Sequence, residues 1–252
     1  MMEAVVDSAV RTVPEIAIAF DVPTLDDALA LDRKLGEGPE IAKVGLELFT
    51  AAGPDVVRAL KERGRRVFLD LKLHDIPNTV RGAAASATRL GADLLTVHAM
   101  GGQRMVAAAV EGVAEAGGST RVVGVTVLTS LDAFQLPPGF AQPFHAMIVI
   151  SQLADLVESA GAHGIVCAAS DLPPVVGFRR KPVFAVTPGI RPAGGSKNDQ
   201  ARVTTVGEAV SMGSSLLVLG RAITAASDPL AALSSVRAER DQAAAAKTES
   251  RA

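Results

Sequence analysis

Tryptophan and tyrosine are both missing from this chain of 252 residues, and 8 Phe make up its aromatic complement. Without those rings the chain is poorly equipped to stack nucleobases or to cage a quaternary ammonium. Any ligand must be held by hydrogen bonds, charge and aliphatic walls. Cysteine is scarce as well. The single Cys167 excludes an intrachain disulfide framework and any multi-cysteine metal site. Its setting, Gly164-Ile165-Val166-Cys167-Ala168-Ala169, reads as that of a small buried hydrophobe. His74, His98, His145 and His163 are scattered and form no metal-ligand spacing. Neither sign of charge dominates: 25 Lys and Arg face 27 Asp and Glu, for a formal net charge of −2. That balance argues against a nucleic-acid binder with a broadly basic surface. No window approaches about 18 uninterrupted apolar residues, so no membrane span is expected. Glu3 and Asp7 make the N-terminus unlike a signal peptide, and a cytoplasmic, reducing setting is the expectation.

What the chain does have is rhythm. Short apolar runs read as strands at Glu15–Phe20, Ile41–Gly45, Arg66–Leu71, Leu94–His98, Arg121–Leu128, Gly164–Cys167, Pro182–Val186 and Leu216–Leu219. Amphipathic stretches between them read as helices at Leu25–Leu35, Pro54–Arg63, Thr79–Leu90, Gln103–Ala116, Ala146–Ala160 and Thr205–Met212. Gly64, Gly91, Gly117-Gly118, Gly161 and Gly213 fall where helices need a C-cap. Strand, helix and turn recur about eight times at roughly 30 residues each, the rhythm of a (β/α)8 TIM barrel. A doubly wound open sheet is the alternative on pattern alone. No composition break divides the chain, so residues 1–252 read as one domain with a core of about 14–237. The Ala-rich, charged tail 238–252 either extends the last helix or frays, and carries no expected function.

Chemistry concentrates in Val67-Phe68-Leu69-Asp70-Leu71-Lys72-Leu73-His74-Asp75-Ile76-Pro77-Asn78-Thr79. Strand alternation turns Val67, Leu69 and Leu71 outward, under the helices, and sends Phe68, Asp70 and Lys72 into the barrel. The same alternation sends Ala17, Ala19 and Asp21 inward from the first strand, and Lys43 from the second. Asp21, Lys43, Asp70 and Lys72 therefore converge on one mouth, where such barrels carry their chemistry. A purely structural salt-bridge network is the bland reading, and buried ion pairs are poor stabilisers.

Asp70-x-Lys72-x-x-Asp75 followed by Ile76-Pro77-Asn78-Thr79 resembles the signature of the orotidine 5′-phosphate decarboxylase family. The resemblance covers nearly the whole barrel. It takes in Ala19-Phe20-Asp21, Lys43-Val44-Gly45, Thr96-Val97-His98-Ala99, Leu128-Thr129-Ser130, Thr187-Pro188-Gly189-Ile190-Arg191-Pro192, Asp199-Gln200 and Leu219-Gly220-Arg221. The Asp-x-Lys-x-x-Asp element alone is shared with other phosphosugar barrels; the ordered set is far more specific. The resemblance implies decarboxylation of orotidine 5′-monophosphate to UMP without metal or organic cofactor. It implies that Lys72 stabilises and protonates the carbon-6 carbanion, that Asp70 aims Lys72, and that Lys43 and Asp75 complete a catalytic charge chain. Asp75, Ile76 and Thr79 are implied to reach the site of the other subunit in a homodimer.

Further roles follow by the same resemblance. Asp21 and Lys43 match ribose-hydroxyl contacts, and Thr129 and Ser130 match the turn at the pyrimidine amide edge. Gln200 matches a bridge between phosphate and base, and Pro188 and Ile76 an aliphatic wall. Gly220 and Arg221, with Arg191, suit the phosphate, since barrels often bind phosphate after their seventh and eighth strands. The Gly-rich segment Ala193–Asn198 reads as a lid. His98 is expected to support the site through hydrogen bonding, while His74, His145 and His163 are expected to stand aside. Two rivals are weighed against this reading. A magnesium-dependent relative, such as 3-keto-gulonate 6-phosphate decarboxylase or hexulose-phosphate synthase, would need a carboxylate where Lys43 stands. A non-catalytic phosphate-binding barrel would not need the complete Asp-Lys array.

Overall fold

The computed structural model describes residues 13–38, 40–131, 146–177, 182–192 and 204–249. Strands and helices alternate as β1 (Glu15–Ala19), α1 (Leu25–Leu35), β2 (Ile41–Gly45), α2 (Leu46–Ala52), α3 (Asp55–Glu62), β3 (Arg66–Leu73) and α4 (Pro77–Arg89). There follow β4 (Leu94–His98), α5 (Gln103–Glu115), β5 (Arg121–Val125), α6 (Ala146–Ser159), β6 (Gly164–Val166), α7 (Leu172–Gly177) and β7 (Phe184–Thr187). The chain then runs through β8 (Ile190–Arg191), β9 (Thr204–Thr205), α8 (Val206–Met212), β10 (Leu216–Leu219), α9 (Arg221–Thr224) and α10 (Pro229–Glu249). Eight parallel strands close in the order β1-β10-β7-β6-β5-β4-β3-β2, which makes a (β/α)8 barrel and removes the open-sheet alternative. The short β8 and β9 pair separately, beyond the end of β7.

Strand alternation produces two apolar layers. Ile16, Ile18, Ala42, Val44, Val67 and Leu69 pack outward beneath the helices. Ala17, Ala19, Ile41, Phe68, Leu94 and Val218 fill the barrel interior. Phe68 is the largest side chain of that inner layer and is buried. The helices are held by local signals as well as by packing. Thr24 caps α1 by accepting from the Asp27 amide at 3.1 Å, and Asp26 and Asp27 complement the helix dipole. Thr205 and Glu208 form a reciprocal capping box that starts α8. Gly112 lets α5 approach the backbone of α4 at Arg81, where a Cβ atom would collide.

Several boundaries differ from the sequence reading. The fifth strand ends at Val125 instead of Leu128, and the seventh spans Phe184–Thr187 instead of Pro182–Val186. Helices α2, α7, α9 and α10 were not among the predicted amphipathic stretches. Helix α10 runs unbroken past residue 238 to Glu249. Only Ala244 of that extension is buried, and polar contacts to α8 do the rest. Glu239 accepts from the Gly207 amide at 3.1 Å, and Lys247 donates to the Val210 carbonyl at 2.6 Å. An acid at the N-terminus of α8 and a base near its C-terminus match the helix dipole. Among the described residues, no helix is long and apolar enough to cross a membrane.

The N-terminal end of the barrel is sealed by ion pairs. The Glu15 carboxylate lies 2.7 Å from Arg66 Nη1 and 3.6 Å from Arg121 Nη2. The Arg121 guanidinium stands over the Phe184 ring at 5.1 Å, and His163 packs against the same ring at 4.7 Å. His163 is thus half-buried, and burial followed by the nearby Arg121 charge pushes its pKa down. Cys167 is wholly buried, and burial raises its thiol pKa far above the reactive range, as its apolar setting implied.

Candidate active site

At the C-terminal end, β3 delivers the site. Its pairing with β4 runs in register through Phe68↔Leu94 and Leu69↔Leu95, then shifts before Leu73↔Val97. The irregularity falls on Asp70 through Lys72. Lys72 takes φ 49°, the sole positive φ of a non-glycine among the described residues. A long side chain in that region costs about 1–3 kcal/mol and persists only where its surroundings enforce it. Here the backbone N–H of Lys72 donates to Thr96 Oγ1 at 2.8 Å, and the Thr96 hydroxyl donates to Asp70 Oδ1 at 3.0 Å.

The predicted charge array is assembled. Lys72 Nζ sits 2.9 Å from both Asp70 carboxylate oxygens. Lys43 Nζ lies 3.7 Å from Asp70 Oδ2 and 3.1 Å from Asp21 Oδ1. Lys43 and Asp70 expose only 10% and 14% of their side chains, whereas Asp21 exposes 59% at the rim. Charge–charge interaction is therefore strongest at the Asp70 end, where water screens least. Gly45, at the end of β2, makes room for this pairing. A Cβ there would lie 3.2 Å from Asp21 Oδ1 and 3.3 Å from Lys43 Nζ.

These groups open onto a cavity of about 390 Å³. Asp21, Lys43, Phe68, Asp70 and Lys72 form one side, and Thr129, Ser130, Pro188, Arg191, Gly220 and Arg221 also line it. Ten predicted site residues, Asp21, Lys43, Asp70, Lys72 and the last six just named, therefore share one cavity. Asp75, Ile76 and Thr79 do not line it; all three are exposed, Ile76 at 66%. Exposed apolar side chains also stand after the neighbouring strands, Leu46 at 56% and Met100 at 42%. Gln200, His145 and the Ala193–Asn198 segment lie outside the described residues. Among the described residues, no group of three or more His, Cys, Asp or Glu gathers as metal ligands do.

One expectation needs correction. His98 makes no hydrogen bond through Nδ1, which is buried without a partner among the described residues. Instead its ring stacks on His74 with centroids 5.3 Å apart. Burial, then His74, then Lys72 lower the His98 pKa, so the ring is neutral near pH 7. Thr96 and Gly45 were the residues whose service to the site went unread. Period-2 alternation on β4 points Thr96 inward between Leu94 and His98, and that signal was available.

Residues 14–236 match the family described as Orotidine 5'-phosphate decarboxylase / HUMPS family. The chain belongs to this family. It is 48% identical over 220 residues to an orotidine 5′-phosphate decarboxylase of Cutibacterium acnes, a match covering 87% of this chain and 93% of the relative. It is 51% identical over 224 residues to the enzyme of the same name from Anaeromyxobacter sp., covering 88% and 96%. The crystal structure of orotidine 5′-phosphate decarboxylase from Lactobacillus acidophilus is similar at TM-score 0.80 and 35% identity, over 91% of this chain and 99% of that one. In an orotidylate decarboxylase-family barrel, the cavity at the C-terminal mouth is where chemistry is sought.

Proposed function

We propose that this protein decarboxylates orotidine 5′-monophosphate to UMP and CO2, the last step of pyrimidine nucleotide synthesis. The observation that carries the proposal is Lys72 Nζ, 2.9 Å from both Asp70 oxygens on the wall of the cavity. Loss of CO2 leaves an electron pair at pyrimidine carbon 6, which no adjacent carbonyl delocalises well. A preorganised ammonium stabilises that charge without reorganising at the moment of reaction, the more so once bound substrate displaces water from the cavity. Lys72 then transfers a proton to carbon 6, and the C–C electron pair becomes the C–H bond. Asp70 fixes the direction of the ammonium through both of its oxygens. Lys43 holds Asp70 from the other side, and Lys43 with its rim partner Asp21 suits the ribose hydroxyls.

The phosphate has its own end of the cavity. Arg221 offers a bidentate fork, and Gly220 lets the backbone come close to an anion. Arg191, Pro188 and the Thr129-Ser130 turn complete the enclosure, with Gln200 assigned to the bridge between phosphate and base. Binding energy spent on the remote phosphate lowers the barrier at carbon 6 when it is realised in the transition state. Lys43 stands where the magnesium-dependent relatives would need a carboxylate, which supports a reaction without metal.

Asp75, Ile76 and Thr79 act on a second copy of the chain in this reading. Their exposure outside the cavity and the neighbouring exposed Leu46 and Met100 support such an interface. Loss of orotidine 5′-monophosphate absorbance in excess EDTA tests the activity. Rapid turnover is expected; no turnover, or turnover only with added magnesium, overturns it. Mixing inactive Lys72→Ala and Asp75→Ala variants tests the shared site. Partial activity should return, and none returning despite proven subunit exchange refutes it.

A further inference from the structure

Thr96 is fully buried inside the barrel on β4, and its hydroxyl makes two contacts of opposite kind. A hydroxyl carries one proton and two acceptor lone pairs. The Lys72 backbone N–H is only a donor, so Thr96 Oγ1 accepts it, at 2.8 Å. The ionised Asp70 carboxylate is only an acceptor, so the hydroxyl proton points to Asp70 Oδ1, at 3.0 Å. Direction is thus settled by chemistry at both ends. Thr126, the residue after β5, differs: it is buried too, but its hydroxyl donates to the Val166 carbonyl at 3.0 Å and touches no charged group among the described residues.

We propose that Thr96 is a positioning residue for the decarboxylation, fixing Lys72 and Asp70 relative to each other through one hydroxyl. The inference rests on the proposed role of Lys72. The shift in β3–β4 register takes Lys72 out of the regular ladder, and Thr96 supplies its N–H with a partner. That bond helps enforce φ 49°, without which the backbone relaxes to a common conformation and the ammonium leaves its place. The bond to Asp70 fixes the plane of the carboxylate whose two oxygens receive Lys72 Nζ. The β-branched side chain adds rigidity, because Thr has fewer accessible χ1 rotamers than Ser.

Thr96→Val keeps the shape and removes the hydroxyl; Thr96→Ser keeps the hydroxyl and removes the methyl group. Steady-state kinetics, melting temperature and amide hydrogen exchange at Lys72 are measured on wild type and both variants. Loss of a hydrogen bond to a charged group predicts kcat about 10- to 100-fold lower in Thr96→Val, with KM within about threefold. Thr96→Ser should recover to within about fivefold of wild type, since the hydroxyl is retained. The Lys72 amide should exchange at least about tenfold faster in Thr96→Val and near the wild-type rate in Thr96→Ser. Thr96→Val within twofold of wild-type kcat, unchanged Lys72 exchange, or a Ser variant no better than Val would each overturn the proposal. So would a kcat loss accounted for by the unfolded fraction. Should the wild type fail to decarboxylate the substrate, the functional reading falls. Faster Lys72 exchange in Thr96→Val alone then still supports the clamp, and unchanged exchange refutes it.

Discussion

At each end of the barrel a buried carboxylate stands between two cations. At the N-terminal end Glu15 lies 2.7 Å from Arg66 and 3.6 Å from Arg121. At the C-terminal end Asp70 lies 2.9 Å from Lys72 and 3.7 Å from Lys43. The cations differ in what they can do. Arginine is a planar fork that keeps its charge and stacks on rings, as Arg121 does over Phe184. Lysine is a compact ammonium on a flexible stem, able to surrender a proton. The surroundings differ in the same sense. The Glu15 cluster is backed by Phe184 and His163, whereas the Asp70 cluster faces a cavity of about 390 Å³ and includes a residue at φ 49°. Similar electrostatics thus serve closure at one end and, in the proposed reaction, proton transfer at the other.

The comparison breaks most sharply if the charged residues at the mouth prove structural. Lys72→Ala should lower kcat/KM by on the order of 10³-fold or more, the scale of losing preorganised charge at a developing anion. Its melting temperature should stay within about 4 °C, since alanine keeps the same backbone cost, the Lys72 side chain is a third exposed and Asp70 retains Lys43. Arg221→Ala should lower kcat/KM by about 10²-fold, mostly through KM, as loss of a charged phosphate contact does. At the opposite end Glu15→Ala removes the buried carboxylate that Arg66 and Arg121 share. Arg66 is 36% exposed, so water offsets part of the penalty, and about 2–4 kcal/mol of stability should go in urea titration. The kcat of the folded fraction should be unchanged.

Sequence alternation made the inward set at the mouth legible, because one period fixes both the apolar layers and the position of Asp21, Lys43 and Asp70. The left-handed Lys72 was not legible. It arises where β3 slips against β4, a property of two strands that neither segment encodes alone. The N-terminal cluster was also unread, since Glu15, Arg66 and Arg121 are far apart in sequence and each begins a strand as an ordinary charged residue. The helical extension past residue 238 escaped for a third reason. It is anchored by Glu239 and Lys247 on α8, and a search for an apolar stripe passes over such polar contacts.

Two smaller effects sharpen the account by pH. Burial alone would raise the Glu40 pKa, but the Arg237 hydrogen bonds at 2.6 Å, a backbone hydrogen bond and the charges of Arg237 and Arg65 together hold the carboxyl below its ordinary 4.5. A depressed carboxyl contributes stability above its unfolded value and loses it as pH falls through the folded one. Wild type should therefore lose more stability than Glu40→Gln between pH 6 and pH 3, read by thermal melting. The smallest effect belongs to His98, whose lowered pKa means that the unfolded chain takes up the proton first. Stability should slip as pH falls below about 6.5, the ordinary value for histidine, and less so in His98→Gln.

The charge-preserving exchange Lys72→Arg tests the contrast between the two ends most directly, with turnover of orotidine 5′-monophosphate and melting temperature read on one preparation. An arginine keeps the cation beside Asp70 but cannot release a proton at neutral pH. Turnover should fall by about 10³-fold or more while the melting temperature stays within about 4 °C, a change of roughly 1–2 kcal/mol for a chain of this size. A variant that retains more than a tenth of wild-type turnover, or one whose lost activity matches its unfolded fraction, would contradict the assignment of chemistry to this end.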